Sequence, residues 1–181
     1  MSKAEFKVGD ILRINKTRCI VFQTSPEVKV VTAEAVLAEW SPSACEVTQA
    51  THYDDGSVNT GRIMKLPDWM ARYPAFKWCV ALGPGWYLPS YNELMAIRRA
   101  KGTINAVLAA LQADTLCSKS QMMWSSTEHD AESAHSVCVG HSTGEQQMIK
   151  SCRCEVRAVY VLDGGCKQTV PSGKACAASA F

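Results

Sequence analysis

Residues 85–94 read Gly-Trp-Tyr-Leu-Pro-Ser-Tyr-Asn-Glu-Leu, and they contain the clearest local signal in the chain. Ser90 and Glu93 have the spacing of a capping box, in which the serine oxygen accepts a first-turn N–H and the glutamate reaches back to the cap. The sequence therefore predicts a helix that begins after Ser90. Gly102 is predicted to end this helix, and Thr103 is predicted to begin a second one.

The part of the chain before this helix is predicted to form strands and then short helices. The first segments are rich in Val and Ile and are separated by turn signals. Strands are predicted over residues 6–14, 18–23 and 28–36. Further along, prolines mark the breaks between helical patterns. Helical segments are predicted over residues 60–64, 68–72 and 73–82.

The last third of the chain returns to strand character. Strands are predicted over residues 122–126, 135–139, 146–150 and 155–162, with a hairpin turn at residues 142–144. The order strands, two main helices, strands predicts an α+β domain in which the terminal strands meet, because buried strand edges must find partners. This domain is predicted to span residues 1–163. Residues 164–181 are rich in Gly, Ala and Ser and are predicted to form a loosely packed tail.

Length and charge exclude several classes of protein. With 181 residues, and about 150 residues per domain as a guide, one domain with an appendage is expected. The net charge of +2 gives no strong field for nucleic acid, so no nucleic-acid partner is predicted. No apolar run approaches the roughly 20 residues that span a bilayer, so no membrane insertion is predicted. No signal peptide is seen, and the expected locations are the cytoplasm, a virion, or the cell surface after removal of a leader.

The cysteines are the first candidates for chemistry. The chain has 9 cysteines, of which Cys19 and Cys79 lie in apolar segments and are predicted to be buried thiols. Cys152 and Cys154 are predicted to lie side by side on a strand, with His141 nearby, but the close ligand spacing of a zinc site is missing. No nucleophile elbow or glycine-rich phosphate loop is present either. We therefore predict no metal, no cofactor and no enzymatic activity.

Three ordered motifs carry a family resemblance. Residues 85–94, Trp124-Ser125-Ser126-Thr127-Glu128 and Val156-Arg157-Ala158-Val159 together resemble a C-type-lectin-like family that is common in gut Bacteroidales and their phages. Similar upstream pieces extend the likeness over about residues 7–162. These pieces are Gly9-Asp10-Ile11, Ile20-Val21-Phe22, Asp55-Gly56-x-x-Asn59-Thr60 and Tyr73-Pro74-Ala75-x-x-Trp78-Cys79. The resemblance implies two main helices and paired terminal strands beside a smaller, loop-rich second sheet.

Several members of this family resemble the variable proteins of diversity-generating retroelements. The resemblance implies a non-enzymatic protein that binds a protein or glycan ligand, and it leaves homo-oligomer formation open. The mutagenised stretch maps here to residues 129–155. The predicted ligand-contacting residues are His129, Asp130, Ser133, His135, Ser136, Cys138, His141, Thr143, Ser151, Cys152, Arg153 and Cys154. The predicted scaffold residues are Trp86, Pro89, Glu93, Trp124 and Arg157, with Arg157 bound to Glu93 or Glu128.

One departure and two alternatives accompany this interpretation. Adenine-directed mutagenesis of asparagine codons does not produce Glu, Gln or Met, so several positions would be fixed or come from other codons. These positions are Glu132, Glu145, Gln146, Gln147 and Met148. The first alternative is a thiol- or metal-dependent enzyme, related to formylglycine-generating enzymes and built on Cys152, Cys154 and His141. The second is a structural virion or adhesin component that assembles through the tail.

Overall fold

The computed structural model describes residues 5–42, 46–139 and 145–162, and it has an α+β architecture with two sheets. The strands are β1 (Ile11–Ile14), β2 (Thr17–Gln23), β3 (Val28–Thr32), β4 (Val36–Glu39), β5 (Met122–Glu128), β6 (Ser133–Cys138), β7 (Glu145–Ile149), β8 (Arg153–Val156) and β9 (Val159–Leu162). The helices are α1 (Gly56–Ile63), α2 (Trp69–Arg72), α3 (Pro74–Ala81), α4 (Tyr91–Arg99) and α5 (Lys101–Ala110).

The first sheet joins the two ends of the described chain. Its strand order is β1-β2-β3-β9, and every neighbouring pair is antiparallel. The last strand pairs with the third, with Val30 opposite Tyr160. The α+β class is therefore confirmed. The last strand joins the sheet of the N-terminal strands, but it pairs with β3, and β1 lies at the opposite edge.

The second sheet has the order β4-β8-β5-β6-β7, so with five strands it is larger than the first, not smaller as the resemblance implies. Two segments that were each predicted as one strand cross from one sheet to the other. Residues 28–36 divide into β3 and β4, and residues 155–162 belong to β8 and β9. No glycine or proline marks either break, because the first crossover reads Ala33-Glu34-Ala35 and the second reads Arg157-Ala158.

The capping box predicted before α4 is present. Ser90 Oγ accepts from Glu93 N at 3.3 Å, and Glu93 Oε2 accepts from Ser90 N at 2.8 Å. The predicted end at Gly102 is wrong, because α4 ends at Arg99 and α5 already begins at Lys101. The residue between them, Ala100, has φ −88°, which an alanine adopts without strain, so no glycine is needed at this junction.

The start of α1 lies earlier than residues 60–64 imply. Asp55 acts as its N-cap, because the side chain accepts hydrogen bonds from Ser57 N and Val58 N. Gly56 follows as the first helical residue. A Cβ at this position would lie 2.2 Å from the carbonyl oxygen of Leu88, so the helix can start here only with glycine. The Asp-Gly pair therefore marks a helix start packed closely against another loop.

The second sheet separates two apolar clusters. One face packs Trp124, Met122 and Cys138 against Trp40 and Phe76. The other face packs Met123 and Val137 against α4 and α5. The predicted scaffold residues Trp86, Pro89, Glu93, Trp124 and Arg157 are all buried, as are the thiols of Cys19 and Cys79. Among the described helices, none combines the length and apolarity needed to cross a membrane.

Candidate functional site

The residues predicted to contact a ligand divide into three groups. His129, Asp130, Ser151 and Arg153 are exposed, and Ser133 and Cys152 are half-buried. Four others are buried, which corrects the expectation that they reach a ligand; these are His135 (2% exposed), Ser136 (0%), Cys138 (4%) and Cys154 (1%). His141, Thr143 and the hairpin turn at residues 142–144 lie outside the described residues, as does the predicted tail.

The position of β6 explains the burial. This strand lies between β5 and β7, and both of its faces are covered. Ser136 is opposite Trp124 and Cys138 is opposite Met122, so these two side chains point into the apolar cluster around Trp40. A strand covered on both faces loses the alternation of polar and apolar residues by which an open face is recognised in a sequence.

The next strand, β7, is at the edge of the sheet and leaves one face open. Ile149 is opposite Ser133, and Gln147 is opposite His135. Because directly paired residues project to the same face, these four side chains share one side of the sheet. Gln147 is exposed and Ile149 is 59% exposed. Both were missed as contact residues, although their two-residue spacing on an edge strand is the signal that could have identified them.

A ring cluster adjoins this open side and is centred on His135. The Tyr53 hydroxyl and His135 Nε2 are 2.8 Å apart, and the centroids of the two rings are separated by 5.1 Å. The ring of Tyr91 lies 5.8 Å from that of His135, and the ring of His129 lies 5.2 Å from it. We call the surface formed by Tyr53, His129, Ser133, Gln147 and Ile149 the Tyr53 face. Tyr53 itself is 40% exposed.

The turn that carries Tyr53 is firmly attached to three elements. The backbone carbonyl of Tyr53 accepts from Asn92 N in α4 (2.9 Å). The carbonyl of His52 accepts from Asn59 Nδ2 in α1 (2.7 Å) and from Thr127 Oγ1 in β5 (3.1 Å). The contact between Tyr53 and His135 was not predicted, because the two residues are 82 positions apart and only the fold brings them together.

A second turn at the Tyr53 face is stabilised by Asp130. Its Oδ1 atom accepts from Glu132 N (2.8 Å), Ser133 N (2.7 Å) and Ser133 Oγ (2.9 Å). These hydrogen bonds, first of all the one from the Ser133 side chain, hold the pKa of Asp130 below its ordinary value. His129 Nε2 lies 3.8 Å from the other carboxylate oxygen. The carboxylate is therefore charged at neutral pH and exposed beside the imidazole.

A buried ion pair lies behind these turns. Lys150 Nζ contacts Glu128 Oε1 at 2.7 Å, and their side chains are 2% and 1% exposed. Glu128 also accepts from Thr48 N and Gln49 N, while Lys150 donates to the carbonyl of Ala131 at 3.0 Å. The pair thus connects β5, the end of β7 and two loops, and it satisfies both buried charges.

Two predicted scaffold residues have partners of the same kind. Glu93 accepts from Lys29 Nζ and from the Tyr87 hydroxyl, each at 2.7 Å, in addition to closing the capping box. Arg157 does not bind Glu93 or Glu128 as predicted. Its Nε contacts Glu155 Oε1 at 2.8 Å, two residues away, because the crossover between β8 and β9 holds both side chains on one buried site.

Two cysteines of this region have thiol groups with raised pKa values. Burial, together with the nearby Cys152 and Cys117, raises the pKa of the Cys154 thiol to about 12. Burial likewise raises the pKa of Cys117 to about 11. Within the residues that the structure describes, no three His, Cys, Asp or Glu side chains converge as metal ligands.

Comparison with known proteins gives a structural similarity but no family. No protein-family model matches the chain, and no curated protein matches it significantly. The structure is similar to the crystal structure of a fimbrial protein from Bacteroides ovatus ATCC 8483, with a TM-score of 0.59 and 18% sequence identity. The match covers 75% of this chain and 36% of the fimbrial protein. At this identity the likeness concerns the fold alone.

Proposed function

We propose that this protein is a non-enzymatic ligand-binding protein with a C-type-lectin-like fold, similar to the variable proteins of diversity-generating retroelements. Its ligand is a protein or a glycan, and the contact surface is the Tyr53 face. The observation that carries the proposal is the open side of the edge strand β7, where Gln147 and Ile149 adjoin His129. Behind this open side the buried carboxylates of Glu93, Glu128 and Glu155 are each paired with a basic side chain, which gives a replaceable binding surface the rigid support that it requires.

The buried frame agrees with the family resemblance. Four of the residues that carry it, Trp86, Glu93, Trp124 and Arg157, are buried. Glu93, Trp124 and Arg157 also form hydrogen bonds to strands β3 and β4. Two main helices, α4 and α5, pack against β2 of the sheet that contains both the N-terminal strands and the last strand. These features support the C-type-lectin-like interpretation.

The proposed ligand surface contains fewer of the residues in 129–155 than the sequence predicted. Ser136, Cys138 and Cys154 point into the core and have no access to a ligand. Arg153 is exposed, but its guanidinium donates to the carbonyl of Leu37 on β4, at the opposite edge of the sheet from β7. The ligand surface therefore comprises the start of residues 129–155, the open side of β7, and the turn at Tyr53.

Two experiments test the proposal. The genomic DNA should contain a near-identical repeat of the sequence coding for residues 129–155, with differences confined to adenines, next to a reverse transcriptase gene.

Purified protein should also bind members of a glycan array or an array of cell-surface proteins. Binding should disappear in a variant with alanine at His129, Asp130, Gln147 and Ile149. A control with alanine at Arg13, Lys16 and Glu27 should bind normally. Loss in both variants, or in neither, would contradict the proposal.

The fimbrial neighbour favours a second candidate, a structural component of an adhesin or virion. In that case residues 164–181 mediate assembly. Removing them should abolish oligomers, measured by light scattering, while the urea midpoint of the remaining domain stays unchanged. If the truncated and full-length proteins have the same number of subunits in solution, this second candidate is wrong.

The thiol- or metal-dependent enzyme has less support. A nucleophilic or metal-binding cysteine needs a lowered pKa, but burial raises the pKa of Cys154 to about 12. Metal analysis of the purified protein provides the direct test. Stoichiometric zinc or copper that is lost in Cys154→Ser would restore this alternative.

A further inference from the structure

Three acidic side chains are exposed on the two turns that border the Tyr53 face. Asp54 and Asp130 are exposed on the two turns that border the face, and Glu132 is exposed on the second turn. Basic groups are arranged differently. Lys150 is buried and paired with Glu128, and Lys101 lies at the other end of β6, where its Nζ donates to the carbonyl of Val139.

The first of these turns also holds an aromatic side chain, Tyr53, in a fixed position. The ring of Tyr53 contacts the rings of Tyr91 and His135, and its hydroxyl is hydrogen-bonded to His135. Two turn contacts limit movement further, since Asn92 donates both to the Tyr53 carbonyl and, through its side chain, to Asp54 Oδ1. A tyrosine that is held in place while 40% of it stays exposed can bind without losing much conformational entropy.

The exposed carboxylates on these two turns have the opposite sign to the net charge of the whole chain. The chain has a net charge of +2, so long-range attraction favours acidic partners. An aromatic ring next to carboxylates favours the reverse, because a cation is attracted both to the ring face and to the acids. Specific binding of a basic group must therefore come from this face and not from overall charge.

We propose that the Tyr53 face recognises a basic protein segment, with an Arg or Lys side chain lying against the Tyr53 ring and its positive charge attracted to the exposed carboxylates of Asp54 and Asp130. The apolar stem of that side chain, or a neighbouring apolar residue of the segment, contacts Ile149. Tyr53 and Asp54 lie outside residues 129–155, so they form a constant anchor beside the stretch expected to determine ligand choice. This inference rests on the function proposed above and specifies the class of its ligand.

The test uses the full chain and three fluorescent peptides of equal length, which alternate glycine with arginine, glutamate or serine. Fluorescence polarisation should show that the arginine peptide binds, and that it binds more tightly than the glutamate and serine peptides. Tyr53→Ala should weaken it roughly tenfold, the loss expected for a partly desolvated cation–π contact. Asp130→Asn should weaken it as well, and raised salt should reduce the difference between this variant and wild type.

Asp114→Asn is the matched control, since Asp114 and Asp130 have similar side-chain exposures of 52% and 54%. It should bind the arginine peptide as wild type does. The inference is overturned if the arginine peptide does not bind, if the glutamate peptide binds more tightly, or if Tyr53→Ala and Asp130→Asn bind unchanged. If the peptide test fails but substitutions that include His129 and Gln147 abolish binding to a ligand on the array, the proposed function still stands. Array binding that is insensitive to those substitutions defeats both.

Discussion

Three buried carboxylates, on Glu93, Glu128 and Glu155, each pair with a basic side chain and also accept hydrogen bonds from loop amides. Each one fixes a loop to the sheets by satisfying groups that would otherwise be buried without partners. Single residues therefore determine how well the surface turns are held. Glu128 matters most for the Tyr53 face, because its partner Lys150 binds the turn at Ala131.

Glu128→Gln should destabilise the protein by about 3–5 kcal/mol, because it leaves the Lys150 charge buried without a counter-charge. Urea unfolding followed by tryptophan fluorescence measures the change. The control is Glu34→Gln, which breaks the exposed Arg18–Glu34 pair, where the side chains are 35% and 49% exposed. This change should cost less than about 1 kcal/mol. Equal losses in the two variants would show that burial of the Glu128 pair has no special effect.

Cys154 offers a test of reactivity at the same scale. Its pKa is raised to about 12, so at pH 8 almost all of it is the unreactive thiol, and burial blocks access as well. Iodoacetamide at pH 8 should label Cys154 at least tenfold more slowly in native protein than in urea-unfolded protein. Peptide mass mapping gives the two rates. Fast labelling of the native protein would indicate an activated thiolate and would revive the enzyme alternative.

At the scale of single elements, α1 illustrates how a helix start depends on a close contact. A Cβ on Gly56 would lie 2.2 Å from Leu88 O and 2.7 Å from Ser90 N, both of them backbone atoms that cannot move aside. Gly61, in the same helix, has nothing within 4 Å of the corresponding position. The two glycines therefore differ in their surroundings although they occupy one helix.

Gly56→Ala should prevent folding or destabilise the protein by more than about 3 kcal/mol, since the added methyl forces the 88–90 loop away from α1. Gly61→Ala should stabilise it by roughly 0.4–1 kcal/mol, because alanine has less backbone entropy to lose in a helix. Thermal unfolding by circular dichroism distinguishes them. A stable Gly56→Ala protein would mean that α1 and the 88–90 loop are not in contact in solution.

Elements also show what the sequence could and could not predict. The start of α4 was predictable because the capping box is local, involving Ser90 and Glu93 only. The division of residues 155–162 between two sheets was not, because the change depends on Arg157 finding the carbonyls of Thr32 and Ala33, more than a hundred residues earlier. For the same reason the contact of Tyr53 with the predicted binding segment could not be derived from residue spacing.

For the molecule as a whole, the two crossovers lie side by side and join the sheets. Thr32 N donates to the carbonyl of Ala158, and Ala158 N donates to Thr32 Oγ1, at the points where the chain leaves and enters the first sheet. Arg157 occupies this junction and is 1% exposed. The buried frame consists of the crossovers, the buried ion pairs and the two apolar clusters. The Tyr53 face is separate from this frame, because it lies at the edge of the second sheet formed by β7.

This separation predicts how the whole domain responds to side chains of a new kind. Gln147→Lys and Ile149→Lys add a charge on the open side of an edge strand, so each should shift the free energy of unfolding by no more than about 0.5 kcal/mol. Ser136→Lys and Cys138→Lys place the same ammonium in the apolar cluster and should cost several kcal/mol or abolish folding. Urea midpoints of the four proteins measure the contrast. If the β7 variants unfold at the same urea concentration as the β6 variants, the Tyr53 face does not tolerate new side chains. A protein selected for variable binding needs such tolerance.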